Sequence, residues 1–595
     1  MTTMTQAAEP FEALARPGTL IDAFERVVAT RGDRTAVRSH DGRISWTWSE
    51  LAERVTAMAR GFVAAGIAPG DKVALLMRNR PEFYVVDLAL VRVGAVPFSL
   101  YASSSPEQND YALADSGAVG IVVDPAYLAA LTGVRLPQHR FQVDGEPAEG
   151  WRPLADVAAR GEGVDLSAVT PPGPDDVVTM IYTSGTTGTP KGVLLSHQNL
   201  LTCAEATLLT QEIPAGTVTV SWLPSAHVGD RLGGYAIPLY QGFEVVTLDD
   251  PREVVATVAD VHPGYFYGPP RIFEKLRAGF DTWVLGLDDE AAERTRQALS
   301  RGFERVDVEQ AGGTPSPELL EATERDRREV FRPWLESVGL ERLRVVVVAT
   351  APNPGPLMGF FHALGVPMGE AYGATETSGG GTAARPDRIR IGTVGEVSMH
   401  MELRLLDDGE VLLRGPQVMQ GYHGRPEATA AAIDADGWLH TGDLGSLDED
   451  GYLRIVGRKK ELIISSSGKN ISPVTVESAI LTSSPFIGQM CCMGDARPYN
   501  VALIVLDGEY VREWARANGL ESADLETLSR DPRVVAEVEA GVAQGNARLN
   551  RPEQIKRFRI VPGEWLPGRE LTATSKMRRS VIAEQYDALV EEMYA

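Results

Sequence analysis

The sequence predicts an α/β protein with a large N-terminal domain of layered α/β sheets plus a small β-barrel, followed by a smaller α+β C-terminal domain. The chain has 595 residues, of which 44% are hydrophobic, so several domains can each bury a core. Up to about residue 280, helical patterns alternate with short apolar strands, which favours parallel sheets covered by helices. Beyond about residue 392 the pattern changes to short strands that end in Asp-Gly turns.

The N-terminal α/β alternation is clearest in four segments. We expect helices over residues 48–65 and 82–93, and strands over residues 72–77 and 120–123. Residues 285–340 are charged and helical in pattern, which predicts a surface excursion. An apolar strand over residues 343–348 then restores the alternation, so the α/β subdomains extend to about residue 391.

The segment 392–457 is predicted to be a β-rich subdomain, either a small β-barrel or a distorted sheet. Asp-Gly turns at residues 408–409, 436–437 and 450–451 separate its short strands. The polar sequence Gly457-Arg-Lys-Lys-Glu461 follows and predicts a hinge. We therefore place an N-terminal domain over residues 1–457 and a C-terminal domain over residues 458–595, which is long enough to fold as a separate unit.

Charge and cysteine content narrow the range of partners. The chain has 57 Lys plus Arg against 81 Asp plus Glu, a net charge of -24, which argues against nucleic acid or an anionic membrane as the main partner. We see no signal peptide and no apolar stretch of membrane-spanning length. Cys203, Cys491 and Cys492 match neither a disulfide framework nor a metal-binding spacing. A cytoplasmic location is expected.

The segment 182–193 predicts a phosphate-binding loop. It places five Ser or Thr hydroxyls, three glycines and Lys191 directly after the apolar run 177–182, which we expect to be a buried strand. Hydroxyls, exposed backbone amides and a lysine suit a polyphosphate. Lys191 stands between Pro190 and Gly192, which excludes a Walker loop. The structural alternative is a Gly/Thr-rich surface linker.

Six further motifs follow this loop along the chain. They are Leu223-Pro-Ser-Ala-His-Val228, Glu370-Ala-Tyr-Gly-Ala-Thr-Glu-Thr377, Gly437-Trp-Leu-His-Thr-Gly-Asp443, Gly457-Arg-Lys-Lys460, Ser467-Gly-Lys-Asn470 and Leu571-Thr-Ala-Thr-Ser-Lys576. In sequence and order, the seven motifs resemble those of the acyl-adenylate-forming (AMP-binding) superfamily. The resemblance is strongest to its long-chain fatty-acyl-CoA ligase branch and extends from about residue 47 to residue 594.

The resemblance implies a two-step reaction and its co-substrates. A carboxylate attacks the α-phosphate of ATP with Mg²⁺ present, a mobile C-terminal domain then rotates, and the thiol of coenzyme A displaces AMP. It also implies a nucleotide site made of Thr183, Ser184, Gly185, Thr186, Thr187, Gly188, Lys191, Glu370, Ala371, Tyr372, Gly373, Thr375, Asp443 and Arg458.

Within this site the resemblance implies separate roles. The hydroxyls of the 182–193 loop and Lys191 would hold the β- and γ-phosphates, while Thr375 and Glu376 would contact the α-phosphate and Mg²⁺. Tyr372 would stack on adenine, Asp443 would accept the ribose hydroxyls, and Arg458 would touch the ribose. The catalytic set implied by the family is Lys576, Thr183, Glu376 and His227.

Lys576 and His227 each have a structural interpretation beside the functional one. By resemblance, Lys576 bridges the carboxylate and the α-phosphate, although from the residues alone it belongs to an exposed basic tail. By resemblance, His227 lies beside the acyl carboxylate and the coenzyme A channel, although a lone histidine is more often structural. The motif context favours the functional roles.

The same resemblance assigns the hinge, the coenzyme A side and the acyl pocket. Lys460 matches the hinge, and Gly468 and Lys469, with His227, match the face toward coenzyme A. The acyl pocket would include Tyr267, Gly268, Ala349 and Thr350, for each of which packing in the core is the alternative.

Two segments depart from the family pattern. In the segment 348–353, Ala349 replaces a glycine and Thr350 adds a hydroxyl, which implies an altered acyl pocket or a weakened adenylation half-reaction. The sequence Thr572-Ala-Thr-Ser575-Lys576 stands where Thr-Pro-Thr-Leu-Lys is commoner, which loosens the loop that presents the lysine.

The main hypothesis is an ATP-dependent acyl-CoA ligase that acts on a small-molecule carboxylic acid, ATP and coenzyme A. The alternative is a partial or diverted adenylating enzyme for a bulky specialised-metabolite acid, which forms the thioester only from a supplied acyl-adenylate or passes the acyl group to another acceptor. A partner ligase is expected if adenylation is impaired. A homodimer is a further expectation, and a catalytically silent binding protein is the third hypothesis.

Overall fold

The computed structural model describes residues 3–5, 17–183, 189–349, 353–466, 469–520, 523–566, 569–572 and 576–595. The strands, in chain order, are β1 (Thr3–Thr5), β2 (Thr35–Ser39), β3 (Ser45–Thr47), β4 (Lys72–Leu76), β5 (Val96–Ser99), β6 (Gly120–Val123), β7 (His139–Gln142), β8 (Arg152–Pro153), β9 (Val177–Thr183), β10 (Lys191–Ser196), β11 (Val218–Ser221), β12 (Glu244–Thr247), β13 (Tyr265–Gly268), β14 (Val345–Val348), β15 (Met368–Tyr372), β16 (Thr382–Ala383), β17 (Glu396–Val397), β18 (Glu402–Leu405), β19 (Glu410–Arg414), β20 (Gly421–Tyr422), β21 (Leu439–Leu447), β22 (Leu453–Arg458), β23 (Ile463–Ile464), β24 (Asn470–Ile471), β25 (Ile487–Met493), β26 (Asn500–Leu506) and β27 (Ile555–Val561).

The helices alternate with these strands over most of the chain. They are α1 (Leu20–Arg31), α2 (Trp48–Ala64), α3 (Pro81–Arg92), α4 (Pro106–Ser116), α5 (Leu154–Arg160), α6 (His197–Gln211), α7 (Val228–Asp230), α8 (Ile237–Gln241), α9 (Val254–Val261), α10 (Pro270–Leu285), α11 (Asp289–Gln310), α12 (Pro317–Asp326), α13 (Arg332–Ser337), α14 (Gly355–Ala363), α15 (Pro426–Ala432), α16 (Pro473–Leu481), α17 (Gly508–Ala517), α18 (Leu525–Leu528), α19 (Pro532–Asn546), α20 (Arg579–Gln585) and α21 (Asp587–Glu592). Short 3-10 turns include Thr375–Thr377 and Lys459–Glu461.

The predicted N-terminal alternation is confirmed, and local sequence explains where its helices begin. At α2, Thr47 caps the first turn and Glu50 returns a hydrogen bond to the Thr47 backbone, a capping box that fixes this start. At α3, Pro81 occupies the first helical position, where its missing N–H costs nothing. The two predicted strands of this region are β4 and β6.

Three sheets form the α/β layers. The order β5-β4-β6-β7-β8 is parallel throughout, and β11-β12-β2 is parallel with β3 added antiparallel. The third sheet, β13-β14-β15, is parallel and continues into the antiparallel strands β16 and β17. Buried aliphatic side chains on both faces of these strands form the N-terminal cores.

The predicted surface excursion is only partly exposed. Helices α10 to α13 send Phe280, Phe331 and Trp334 into the core that covers β13 and β14, and the rings of Phe280 and Trp334 lie 5.1 Å apart edge to face. The remaining faces carry the charged residues that suggested a surface position. The segment is therefore an amphipathic layer of the domain.

The β-rich segment is a distorted antiparallel sheet with the order β1-β18-β19-β21-β22. Register shifts between Glu410 and Leu412 and between Leu444 and Gly445 produce the distortion. After residue 462, the sheet β25-β26-β27 and the small pair β23-β24 are covered by α16 and α19, with cores of their own.

In the described part of the chain, no helix combines the length and the apolar character needed to cross a membrane. Cys203, Cys491 and Cys492 are free and buried.

Candidate active site

The predicted phosphate loop connects the antiparallel strands β9 and β10. Thr183 and Lys191 pair across this hairpin, and the Thr183 hydroxyl donates to the Lys191 carbonyl at 3.5 Å. The ammonium group of Lys191 lies 3.9 Å from the centroid of the Tyr422 ring, a cation–π contact. Ser184, Gly185, Thr186, Thr187 and Gly188 lie outside the described residues.

Tyr422 also reaches Glu376, which joins the hairpin to the next predicted motif. Its hydroxyl donates to Glu376 Oε1 at 2.8 Å, and the Met419 N–H donates to the Glu376 carbonyl at 2.8 Å. Thr375 begins the 3-10 turn that carries Glu376. Tyr422 was not predicted from the sequence, because a single aromatic residue after Gln420-Gly421 belongs to none of the seven motifs.

Asp443 stands at the centre of the predicted ribose site. It is buried on β21, the Tyr372 hydroxyl donates to its Oδ2 at 2.6 Å, and Arg458 Nε lies 3.1 Å from its Oδ1. The β21–β22 register sets Asp443 opposite Arg458, so the ion pair follows directly from strand pairing. Burial and the Asp443 charge together raise the pKa of Tyr372. The structure thus brings these three predicted residues together.

Strand β15 presents the other predicted nucleotide residues. Burial raises the pKa of Glu370 to about 7, while the Asn353 backbone N–H and the Arg454 charge oppose the shift. Ala371 pairs with Ala383, which orients the strand. A Cβ atom added at Gly373 would lie 2.4 Å from the Gly379 carbonyl oxygen, so only glycine fits beside that backbone.

Lys576 reaches this cluster from the C-terminal segment. Its backbone is held by two hydrogen bonds to Thr572, with the Lys576 N–H donating to Oγ1 at 3.0 Å and its carbonyl accepting at 2.8 Å. Lys576 is exposed to solvent, although protein atoms surround its ammonium group. Crowding by protein atoms lowers the pKa of its ammonium group, Arg458 lowers it further, and the Asp443, Glu376 and Glu461 charges oppose the shift.

His227 lies close enough to Lys576 for the lysine charge to act on its imidazole. Its Nδ1 accepts the Gly229 N–H at 3.0 Å, which assigns the remaining proton to Nε2. Burial lowers the pKa of His227 to about 4, and the Lys576 charge contributes to this shift. The imidazole is therefore neutral near pH 7 and offers an Nε2–H donor. The functional role of His227 stays a prediction.

The predicted hinge lies in the 3-10 turn Lys459–Glu461. Lys459 Nζ pairs with Asp408 Oδ2 at 2.6 Å and with Glu410 Oε2 at 3.0 Å, while Lys460 is exposed. Lys469 is exposed and its backbone pairs with Ser465, so no described contact brings it to His227. Gly468 lies outside the described residues.

The predicted acyl-pocket residues lie at the carboxyl ends of β13 and β14. The Ala349 N–H donates to the Gly268 carbonyl at 3.3 Å, and a Cβ atom added at Gly268 would lie 2.8 Å from the Trp222 ring. Tyr267 points into the core, where its hydroxyl donates to buried Asp230 at 2.7 Å. Thr350 is outside the described residues.

A buried polar cluster beside Tyr267 escaped the sequence analysis. The Ser221 hydroxyl also donates to Asp230, and Arg231 pairs with Asp87 at 2.6 Å. Burial raises the pKa of Asp230 to about 7. Asp230 and Arg231 lie two and three residues after the end of the motif 223–228. This closeness to a predicted functional motif was the only sequence feature that could have indicated the cluster.

Comparison with known protein families identifies the family of this chain. The model of the AMP-binding enzyme family matches residues 24–423, and that of the AMP-binding enzyme C-terminal domain matches residues 460–595. The chain belongs to the AMP-binding enzyme family. The resemblance inferred from the seven motifs is thereby confirmed.

Relatives within the family are named as ligases. The putative fatty-acid–CoA ligase fadD11 of Mycobacterium tuberculosis is 43% identical over 71% of this chain and 74% of its own length. The long-chain-fatty-acid–CoA ligase FadD15 of Mycobacterium bovis is 34% identical over 92% of both chains. Among solved AMP-binding enzymes, the anthranilate CoA ligase AuaEII in complex with anthranoyl-AMP matches with a TM-score of 0.74 at 20% identity, covering 97% of this chain and 99% of that one, which shows a shared fold.

Proposed function

We propose that this AMP-binding enzyme is an ATP-dependent acyl-CoA ligase that activates a carboxylic acid as acyl-AMP and transfers the acyl group to coenzyme A. The position of Lys576 supports this proposal best. A lysine from the C-terminal segment shares one electrostatic environment with Asp443 and Glu376 of the N-terminal domain and with Arg458 at the domain boundary. The names of the two mycobacterial relatives suggest fatty acids as the first substrates to test.

In the first half-reaction, a carboxylate oxygen bonds to the α-phosphorus of ATP while pyrophosphate leaves. Both reactants are anionic, so the residues must supply positive charge and orientation. We assign Lys191 and the 182–193 loop to the β- and γ-phosphates, Tyr372 to adenine, and Asp443 with Arg458 to the ribose. We assign Lys576 to the carboxylate and the α-phosphate.

Mg²⁺ fits the donor set around Glu376. One Glu376 oxygen accepts the Tyr422 hydrogen bond, and the described residues contain no group of three or more metal-ligating side chains. Mg²⁺ suits so sparse a set, because it takes one or two carboxylates and completes its shell with phosphate oxygens and water. When bound, it would offset the negative charge of the phosphates.

In the second half-reaction, the thiol sulfur of coenzyme A bonds to the acyl carbon, the bond to AMP breaks and the thiol proton is lost. We propose that the domain 458–595 rotates about Lys460 and turns Gly468 and Lys469 toward coenzyme A. His227 is neutral and can donate its Nε2–H to the acyl carbonyl oxygen of the acyl-AMP. A cytoplasmic location suits the three free cysteines. The homodimer and the partner ligase stay predictions.

The test uses the full-length protein with ATP, Mg²⁺ and a panel of fatty and aromatic acids, with and without coenzyme A, and identifies products by mass spectrometry. The proposal expects acyl-CoA that requires ATP. Acyl-AMP without the thioester, or thioester only from supplied acyl-AMP, would favour the partial or diverted enzyme, which the relatives do not favour. If no acid gives a nucleotide-dependent product, the proposed activity is wrong.

A further inference from the structure

Arg579 follows Lys576 by three residues and joins separate elements of the C-terminal segment. Its guanidinium donates to both carboxylate oxygens of Glu477 on α16, each at 2.5 Å. Its Nε lies 3.3 Å from Glu461 Oε2 in the hinge turn. Its Nη1 also approaches the Cys491 sulfur on β25 at 3.8 Å. The residue that opens α20 is thus tied to three other parts of the fold.

The Arg579–Glu477 pair lies mostly inside the protein. The Glu477 side chain is 5% exposed and that of Arg579 is 19% exposed. Glu477 Oε1 also accepts the Cys492 N–H at 2.7 Å, so strand β25 fixes the carboxylate that Arg579 binds. A planar guanidinium bound at two oxygens has little freedom to rotate, unlike a lysine ammonium. The pair therefore fixes the direction of the chain at Arg579.

Glu461 links the Arg579–Glu477 pair to Lys460 and Lys576, the proposed hinge and catalytic residues of the segment. It directly follows Lys460, the proposed hinge, and its charge acts on the Lys576 ammonium. Glu461, Glu477 and Arg579 all follow Lys460 in the chain, so they would move together in a rotation about that residue. The contacts of Arg579 would then persist in both domain orientations.

We propose that Arg579 is a positioning residue that holds the Lys576 turn rigidly against Glu477 and the hinge-side Glu461. Rotation about Lys460 then carries Lys576 into and out of the site as part of one body. This inference rests on the proposed ligase function. It predicts that loss of Arg579 damages adenylation, which uses Lys576, far more than thioester formation, which does not.

The experiment compares Arg579→Met, Arg579→Lys and Arg497→Met with the wild type, all as the full chain. Arg497 pairs with Glu591 in the same segment, which makes its variant a matched loss of an ion pair. For each protein we would measure ATP–pyrophosphate exchange with an accepted acid, thioester formation from supplied acyl-AMP, and the melting temperature.

Arg579→Met should lower kcat of exchange about 10- to 100-fold, because small misplacement of a reacting group has effects of this size. KM for ATP and the rate from supplied acyl-AMP should stay within about twofold, and Arg579→Lys should recover part of the exchange. Arg497→Met should leave the ratio of the two half-reactions unchanged.

Equal losses in both half-reactions, or unchanged exchange in Arg579→Met, would overturn the inference. If Arg579→Met does not fold, Arg579→Lys and Glu461→Gln provide the test, because each keeps a polar or charged group on both sides of the Arg579–Glu461 contact. The quantity compared is again the rate of exchange relative to the rate of thioester formation from supplied acyl-AMP. Absence of exchange in the wild type would instead overturn the proposed function.

Discussion

The two sides of the candidate site are built differently. On the N-terminal side, the functional groups contact one another directly: Tyr372 donates to Asp443, and Tyr422 donates to Glu376. Arg458, which stands at the domain boundary and before the proposed hinge, pairs with Asp443. On the C-terminal side, Lys576 acts on the same residues through its charge, and within the described residues no hydrogen bond or ion pair ties its ammonium group to them. Its firm contacts lie within its own segment.

This difference suits two separate tasks, which are binding of the nucleotide and movement of Lys576 between the two half-reactions. Groups that hold a nucleotide through both half-reactions gain from permanent mutual contacts, because they need no reorganisation when the ligand arrives. A lysine that must act in one half-reaction and leave for the other would be hindered by strong contacts across the cleft. The contrast predicts that changes on the two sides affect different measurements.

The largest effect is expected for Lys576→Ala. Loss of its positive charge should lower the adenylation rate about 100- to 1000-fold, whereas thioester formation from supplied acyl-AMP should persist. In the wild type, the adenylation rate should fall as pH rises, because Lys576 loses its proton and its positive charge. The midpoint of this fall should lie below the ordinary lysine pKa of 10.5, because the site lowers the pKa of Lys576. ATP–pyrophosphate exchange measured across pH tests both statements. Lys556→Ala, which removes an exposed lysine bonded to Gln554, is the control.

The next effect concerns the stability of the N-terminal side. Glu370 has a pKa near 7 in the folded protein against an ordinary value of 4.5, so between these values only the folded state keeps the proton. Glu370 should therefore contribute up to about 3 kcal/mol of stability at pH 4.5 that is lost as pH rises to 7. Asp230 and His227 also have shifted pKa values and add a pH dependence of their own, so the test is a difference between two proteins. The unfolding free energy of the wild type minus that of Glu370→Gln should fall by up to this amount between pH 5 and 8, as measured by urea unfolding.

The same unfolding experiment on Lys556→Ala is the matched comparison. Its dependence on pH between 4.5 and 7 should match that of the wild type, because this exposed lysine bonds to Gln554 and its loss leaves Glu370 and its contacts unchanged. A Glu370→Gln protein with the wild-type pH dependence would show that Glu370 is not a buried proton-binding group.

A smaller effect is expected at Asp443. Asp443→Asn should raise KM for ATP about tenfold, because a charged hydrogen-bond acceptor becomes a neutral amide. Tyr372→Phe removes only the hydroxyl that donates to Asp443 and should raise KM about threefold. Steady-state kinetics with ATP varied give both values. A larger effect in Tyr372→Phe than in Asp443→Asn would mean that Asp443 is not the main acceptor.

Much of the fold and of the site could be predicted from local sequence. Alternating apolar patterns predicted α2, β4, α3 and β6, because helix and strand periodicity are properties of short segments. Motif residues such as Asp443 and Arg458 were predicted as neighbours in function, and strand pairing places them opposite each other. The helices over residues 285–340 were predicted to lie on the surface because many of their residues are charged. The few aromatic residues that pack into the core lie on one face, and the overall composition does not reveal that face.

By itself, the sequence determined the family, the order of its motifs and the chemical groups available for binding ATP and an acid. Only the tertiary structure decided which groups meet. Tyr422 and Glu376 are 46 residues apart in the chain, and Arg579 and Glu477 are 102 apart. Such pairs carry no periodic signal, because their contact depends on how whole sheets and helices pack. The same packing gives the N-terminal side its direct contacts and, within the described residues, leaves the Lys576 ammonium group without a hydrogen bond or ion pair to that side.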